Sequence, residues 1–363
     1  MAHESPYNVS RALVLGATGG IGGEVARQLL AAGWHVRALR RGGAPHVGAS
    51  PNGIEWRDGD AMHTSDVLAA ARDCEVIVHA VNPPGYRHWD TQVMPMLENT
   101  LAAATLNGAT IVLPGTVYNY GPETFPVLHD DAPQHPRTRK GRIRATMEGR
   151  LRDASRKGVR TIIVRAGDFF GPQAGNSWFG QGLVKPGRTT RVVRVPNAHG
   201  VGHQWSYLPD VGRAMVMLIE RRHTLDDFAN FHMAGHWDTD GTQMAAAIAR
   251  VMAQHGVDVT TRRFPWWLVW AASPFVTTLR ELREMRYLWR QSVRMDNTRL
   301  VATLGQEPHT PLDVAIGATL EGLGCLPGGP HSDRSVRSSA AQGTSQWMPG
   351  VAGAIGDARA RDD

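Results

Sequence analysis

Cysteine is almost absent from this chain. Cys74 and Cys325 are the only two among 363 residues, and their separation gives neither a disulfide framework nor a thiolate metal site; a reducing cytoplasm is the expected location. Long apolar runs are also missing. No stretch approaches the roughly 20 residues that span a bilayer, and the opening Met-Ala-His-Glu-Ser-Pro lacks the basic and then apolar pattern of a secretory leader, so neither export nor a transmembrane segment is expected. Positive charge is not gathered into a block. The net charge of +6 comes from dispersed Lys and Arg, which reads as a solvated face and argues against a nucleic-acid partner. His199 with His203, and His232 with His236, have spacings found at metal sites. Neither pair falls on an expected helix and no carboxylate or thiol completes a set, so no metal is expected. There is no internal repeat.

What the chain does contain is an alternation. Short apolar runs at 12–15, 36–39, 76–80, 110–113 and 161–164 suit buried strands, and the stretches 24–32, 66–72, 93–107 and 139–157 have the length and spacing of crossover helices. This is the pattern of an α/β fold, a Rossmann-type doubly wound parallel sheet, expected over 10–171. Beyond Pro172 the texture turns to loops rich in Gly, Pro and Trp, followed by helices expected over 242–254 and 265–290. We read 172–325 as a smaller substrate lobe, with 204–234 returning to the first domain as a strand and a helix. From 326 to 363 Gly, Ser, Pro, Ala and Arg dominate without apolar periodicity, a disordered tail.

The first strand runs directly into Gly16-Ala17-Thr18-Gly19-Gly20-Ile21-Gly22-Gly23, and a helix follows. A glycine permits the tight turn, a second lets backbone approach a pyrophosphate, and a third allows close helix packing. The helix N-terminus then offers free N–H groups and a positive dipole end to the phosphates. The glycine spacing alone is a weak signal, but strand before and helix after make it a dinucleotide site, with Thr18, Gly19, Gly20, Ile21 and Gly22 against the cofactor. An NAD-selective protein usually carries an acidic residue where the second strand ends. Here no Asp or Glu occurs between Gly33 and Glu55, while Arg37, Arg40 and Arg41 do. A guanidinium holds a 2′-phosphate through paired, charge-assisted hydrogen bonds, so NADP is expected ahead of NAD, with Arg40 and Arg41 as its contacts.

Further motifs follow in order, and together the chain resembles the extended short-chain dehydrogenase/reductase family, the NAD-dependent epimerase/dehydratase group. Gly59-Asp60, with Ala61 beside it, resembles the segment whose acid contacts adenine; His79-Ala80-Val81-Asn82 resembles the small-residue stretch under the cofactor; Asn99 matches a structural Asn. Val117-Tyr118 with Gly121, then Asp131-Ala132-Pro133, look like the strand and loop leading to the active-site helix. Val164-Arg165 to Phe170-Gly171-Pro172, Tyr207-Leu208-Pro209-Asp210-Val211, and Asp296 to Leu300 with Leu304-Gly305, Pro308 and Leu312 resemble its later segments.

The resemblance implies chemistry by a Ser or Thr and a Tyr followed four residues later by Lys, the Lys lowering the phenol's pKa for proton exchange during hydride transfer. This chain departs from that set. If Glu148 matches the family's Glu, Arg144 stands where Lys belongs, Lys140 where Tyr belongs, and Pro114 near the Ser, with Thr116 two residues on. Either Arg144 holds the ribose and the acid–base role passes to Lys140, Tyr118 or Tyr120, or the cofactor is bound without turnover and the protein is an NADP-binding sensor. Arginine stays charged at ordinary pH, so Arg144 can only position and polarise.

On the substrate side the resemblance points to Asn176, Ser177, Trp178 and Phe179, and to His203, Trp205 and Tyr207. Aromatic walls with a few polar groups suit a small-molecule pocket. Arg165 either joins them or braces the sheet end. The run Trp266-Trp267-Leu268-Val269-Trp270, interrupted at Pro274, reads as packing onto the lobe or onto a second subunit of a homodimer rather than onto lipid. The expected function is hydride transfer to or from a small carbonyl, hydroxyl or sugar-like substrate, as oxidoreductase or epimerase.

Overall fold

The computed structural model describes residues 10–42, 52–83, 88–175, 177–273 and 283–328. Asn176 and the expected tail beyond Gly328 lie outside the described residues. In chain order the first half runs β1 (Arg11–Leu15), α1 (Gly20–Ala31), β2 (His35–Arg40), β3 (Glu55–Asp58), α2 (Thr64–Ala71), β4 (Val76–His79), α3 (Trp89–Asn107), β5 (Thr110–Gly115), β6 (Val127–Leu128), α4 (Arg139–Ser155) and β7 (Thr161–Arg165). It continues with β8 (Asp168–Phe170), β9 (Val192–Val195), β10 (His203–Tyr207), α5 (Leu208–Glu220), β11 (Phe228–His232), β12 (His236–Asp238), α6 (Gln243–Gln254), β13 (Thr260–Arg263), α7 (Trp266–Ala272) and β14 (Arg294–Met295). Helices Thr298–Leu304 and Leu312–Gly322 close the described chain.

Seven strands form one sheet in the order β11-β7-β5-β4-β1-β2-β3, all pairs parallel. The apolar runs explain it: in a strand alternate side chains face opposite ways, and a strand apolar at every position needs cover on both faces. In β1, Ala12 and Val14 pack with Val25, Ala26 and Leu29 of α1 and with Val211, Ala214 and Met215 of α5. Leu13 and Leu15 pack on the other face with Val67 and Ala70 of α2, Val93 and Leu97 of α3, and Met147 and Leu151 of α4. The strand order reverses at β1, with β2 on one side and β4 on the other. The crevice at the carboxyl ends of β1 and β4 is where open α/β sheets hold their ligands.

The lobe has its own core, in which Phe170, Trp178, Phe179, Trp205 and Trp289 meet Met244, Ile248 and Val251 of α6. Its sheet is β12-β10-β8, and β9 pairs with β13. The return to the first domain differs from the expected 204–234. β10 belongs to the lobe's sheet, and the chain crosses back only with α5 and β11. Of the helix expected over 265–290, α7 ends at Ala272 and Arg286–Trp289 is a single 3-10 turn, while 274–282 lie outside the described residues. Edge strand β3 escapes a search for apolar runs because none of its residues is fully buried. α1 begins at Gly20, inside the glycine run, four residues earlier than its apolar pattern.

Candidate active site

The turn between β1 and α1 is built on contacts that only glycine allows. Gly16 has φ +88°, and a Cβ there would lie 2.6 Å from the Ala80 carbonyl oxygen; at Gly22 a Cβ would lie 2.3 Å from the Gly16 carbonyl oxygen. The turn is therefore pressed onto Ala80 and Val81 at the end of β4, and α1 is pressed onto the turn. Gly19 precedes the first helical residue and offers no side-chain cap. With Thr18 and Gly19 exposed and Gly20 and Ile21 partly so, solvent reaches this uncapped helix start, where a pyrophosphate finds suitable donors.

The three arginines of the second strand separate into two roles. Arg37 is buried: Nη1 donates to the carbonyls of Ala70 (2.7 Å) and Arg72 (2.9 Å) at the end of α2, and Nε to Glu55 (3.2 Å). It caps a helix C-terminus, a structural duty that withdraws it from the cofactor. Arg40 lies over the Trp56 ring at 5.3 Å. Arg41 is 70% exposed and 3.9 Å from Asp60. Asp60 accepts from the Met62 amide through Oδ1 (3.0 Å), and Ala61 beside it is buried. The Ala61 carbonyl accepts from Asn99 Nδ2 (2.9 Å), whose Oδ1 accepts from Thr64 (2.7 Å). Asn99 thus ties α3 to the loop carrying Asp60.

Of the four residues singled out for catalysis, Thr116, Tyr118 and Arg144 meet, and Asn82 joins them. Arg144 on α4 donates from Nη2 to Asn82 Oδ1 (2.8 Å) and lies over Trp89 at 5.3 Å. Arg144 and Thr116 lie close enough to the Tyr118 hydroxyl to act on its ionisation. Burial pushes this phenol up; Arg144 and Thr116 pull it down, Asp168 pushes it up, and the net displacement is upward. Tyr118 is accordingly a protonated donor at neutral pH. His79 beneath the site is held neutral, pushed down to about 3 by burial and then by Arg144. Its Nδ1 meets Thr100 Oγ1 at 2.8 Å, and Thr100 donates onward to the Met96 carbonyl. Lys140, also buried, lies 5.9 Å over the Trp89 ring that Arg144 shares. Tyr120 is fully buried beside Arg165, away from the crevice.

The approach of α4 to the Val117–Asn119 turn again depends on a glycine. The Gly141 amide donates to Thr138 Oγ1 (2.9 Å), which caps the helix, and a Cβ at Gly141 would lie 2.1 Å from the Tyr118 carbonyl oxygen. Gly141→Ala must push Tyr118 and Arg144 apart. We expect a loss of about 1–3 kcal/mol in stability, the usual cost of overpacking, with a larger proportional fall in turnover than in cofactor affinity. Unchanged turnover in that variant would contradict the arrangement.

Beneath the turn a buried ion pair fixes it from behind. Arg165 at the end of β7 makes two bonds to Glu148 of α4, Nη1 to Oε1 (3.0 Å) and Nη2 to Oε2 (2.9 Å), both residues buried. Glu148 also accepts from Asn119 (2.8 Å) and Gln134 (2.6 Å), and Arg165 donates to the Thr116 carbonyl. Arg165 Nε donates to His232 Nε2 (3.2 Å), and burial, then Arg165, hold that imidazole neutral, down to about 3. Arg165 therefore braces the sheet end.

On the lobe side, His203 Nε2 meets Asp168 Oδ2 at 2.8 Å, and the His203 ring stacks on Trp289 at 3.8 Å and 10°. Trp178 and Trp205 lie buried within the aromatic core around Trp289. His203, proposed for the substrate, is thus paired with the part-exposed carboxylate of Asp168. Asp168, the partner of His203, was missed by sequence reasoning, since it is a lone residue on its segment without a spacing that marks it. In the tryptophan run, Trp266 packs on the lobe and donates to the Pro196 carbonyl (2.8 Å), whereas Trp267 and Trp270 are 68% and 63% exposed. The thiols of Cys74 and Cys325 are buried, with Cys74 pushed up to about 11 by burial. Among the described residues no helix is long and apolar enough to cross a membrane.

The profile of the NAD dependent epimerase/dehydratase family matches residues 12–234. No curated protein matches the sequence. Among solved structures the chain is similar to UDP-glucuronic acid 4-epimerase from Bacillus cereus in complex with UDP-glucuronic acid and NAD, at 15% identity and a TM-score of 0.66 over 86% of this chain and 98% of that one. It is also similar to UDP-glucose 4-epimerase from Thermotoga maritima with UDP-glucose, at 15% identity and 0.65 over 86% and 97%. MoeE5 in complex with UDP-glucose and NAD matches at 17% identity and 0.65 over 86% and 98%. At these identities the likeness is one of fold.

Proposed function

Because this chain belongs to the NAD dependent epimerase/dehydratase family, we propose that it transfers hydride at a hydroxyl- or carbonyl-bearing carbon of a small, sugar-like substrate, as an oxidoreductase or epimerase. The observation that carries this reading is the convergence of Tyr118, Thr116, Arg144 and Asn82 beside the glycine turn pressed onto Ala80. A nicotinamide dinucleotide would use the tight glycine turn and the uncapped, solvent-reached start of α1. Gly16, Gly19, Gly20 and Gly22 would hold its pyrophosphate, Asp60 and Ala61 its adenine, and Ala80, Val81 and Asn82 would lie under it. When bound, the cofactor supplies or accepts the hydride.

The chain's own residues supply the proton and the charge. Tyr118 donates its phenolic proton to the carbonyl oxygen as that carbon is reduced, or takes it back when the alcohol is oxidised. Arg144 stays charged throughout, stabilises the phenolate that Tyr118 becomes, and holds Asn82. Thr116 donates its hydroxyl to Asn119 Oδ1 and acts on Tyr118 from the same loop, steadying the donor. Lys140, bound to the Trp89 side of α4, supports the helix.

NADP is preferred over NAD in this reading, because β2 ends in Arg40 and Arg41 with no acid before Glu55. Replacing both by Ala is expected to weaken NADP roughly ten- to a hundred-fold, the worth of about 1.5–3 kcal/mol of charge-assisted bonding, and to leave NAD nearly unchanged. Calorimetric titration of both nucleotides checks it, and equal losses would refute the preference. For the reaction itself, NADPH is mixed with a panel of aldehydes, ketones and nucleotide sugars. Loss of the reduced-nicotinamide absorbance is the expected result. Tight cofactor binding with no turnover on any of them, joined to altered association with other proteins, would favour a sensor instead.

A further inference from the structure

Positive charge that is dispersed along the sequence is gathered by the fold on one side of the lobe. β9 and β13 form a parallel pair in which Arg194 stands opposite Arg262. Side chains alternate across a strand, and Val193 is fully buried in the lobe core, so Arg194 and Arg262 share the outer face of this two-stranded ladder. Arg191 precedes β9 and Arg263 ends β13, both exposed. Like charges directly opposite one another on neighbouring strands repel, and among the described residues no carboxylate pairs with Arg191, Arg194, Arg262 or Arg263. Arg194 is pushed down by burial and then by Arg262. Lys185, on the approach to β9, is pushed down by burial, then by Arg194 and Arg188. No acid offsets either cation.

The same stretch of chain carries two exposed indoles. Beyond Arg263 the Phe264 amide donates to the Val195 carbonyl (2.9 Å) and the Trp266 indole to the Pro196 carbonyl (2.8 Å), which fixes α7 to the end of the ladder. Trp266 and Val269 pack on the lobe core, and the helical spacing turns Trp267, Trp270 and Ala271 to solvent. The tryptophan run, expected to pack on protein, is thus split between two faces. The Arg286 guanidinium lies over the Trp266 ring at 5.4 Å, setting a further cation against this helix. We propose that the outer face of the β9–β13 ladder and the outer side of α7 form a docking surface for an anionic lipid bilayer. Indoles settle where hydrocarbon meets headgroup, with the ring in the apolar boundary and the N–H in the polar one, and arginines beside them meet the negative headgroups. Two indoles on so short a helix bury little area, so the cations have to supply the rest of the attraction. A second copy of the chain fits this face poorly, because a two-fold pairing would set these cations against themselves. None of the residues assigned to cofactor or chemistry lies on it.

The test uses the full chain, sedimented with vesicles of equal parts phosphatidylcholine and phosphatidylglycerol and, beside them, with vesicles of phosphatidylcholine alone. The expected result is co-sedimentation with the mixed vesicles only, weakening as salt is raised. The pair Trp267→Ala with Trp270→Ala, and separately Arg194→Gln with Arg262→Gln, should each lower the partition coefficient by about tenfold or more. The urea midpoint and cofactor affinity of the indole pair should stay at the parent's values, since exposed side chains carry little of the folding energy. No sedimentation with the mixed vesicles overturns the proposal, as does equal binding to both vesicle types or binding that either pair of substitutions leaves intact. Retention of a labelled single-stranded oligonucleotide without vesicle binding would overturn it in favour of nucleic acid, and self-association lost in the indole pair without vesicle binding would overturn it in favour of a second copy.

Discussion

Tyr118→Phe is expected to lower turnover by about two to four orders of magnitude, the range by which a positioned acid–base group accelerates proton transfer. Cofactor affinity should hardly change. The removed atom is one hydroxyl oxygen, and the ring, partly buried between Thr116 and Arg144, keeps its packing. The loss should fall on turnover rather than on the Michaelis constant, because the phenol's proton moves only in the transition state. Lys140→Ala provides the contrast. Lys140 lies over Trp89, so its removal should cost stability more than chemistry. If Lys140→Ala instead abolished turnover while Tyr118→Phe left it intact, the donor would have been assigned to the wrong residue.

The largest effect on stability should come from Glu148→Ala. This change leaves Arg165 buried with its guanidinium unpaired, and truncating one partner of a buried ion pair costs about 3–5 kcal/mol. Arg165 keeps the Thr116 carbonyl, the neutral His232 and the Tyr120 ring, none of them an anion, and Asn119 and Gln134 each lose an acceptor. Urea unfolding should register the loss. The double variant Glu148→Leu with Arg165→Met should recover much of it, since apolar residues of similar volume often replace a buried pair at little cost. The double variant should still be slow as an enzyme, because the Thr116 carbonyl is no longer anchored and the Val117–Asn119 turn drifts. A single Glu148→Ala variant as stable as the parent would contradict the network.

The sheet and the cofactor turn were legible because their signals are local. Buried strands are short apolar runs, and a strand, three glycines and a helix follow one another without interruption. The edge strand β3 gave no such signal, since an edge needs only part of its surface covered. Arg37, the first of the three arginines, caps α2, a role the sequence does not mark, because proximity to Arg40 along a strand does not fix which face a side chain takes. The proposed catalytic cluster was half legible. Arg144 and Lys140 came from alignment to a helix pattern, but the choice among Lys140, Tyr118 and Tyr120 depended on tertiary contacts: Tyr120 turns into the core and Tyr118 toward Arg144. Asp168 and Tyr118 come from segments far apart in the chain, and only the fold sets the ends of β7 and β5 that carry them side by side.

A crystal structure with the oxidised nicotinamide cofactor bound would test the account most directly, by giving the polar atom nearest the nicotinamide C4 on the open face. The expected atom is Tyr118 Oη, with Arg144 behind it and the pyrophosphate on the Gly16 to Gly22 turn. A nicotinamide facing Lys140 Nζ with Tyr118 turned away, or a cofactor lying elsewhere than on that turn, would contradict it.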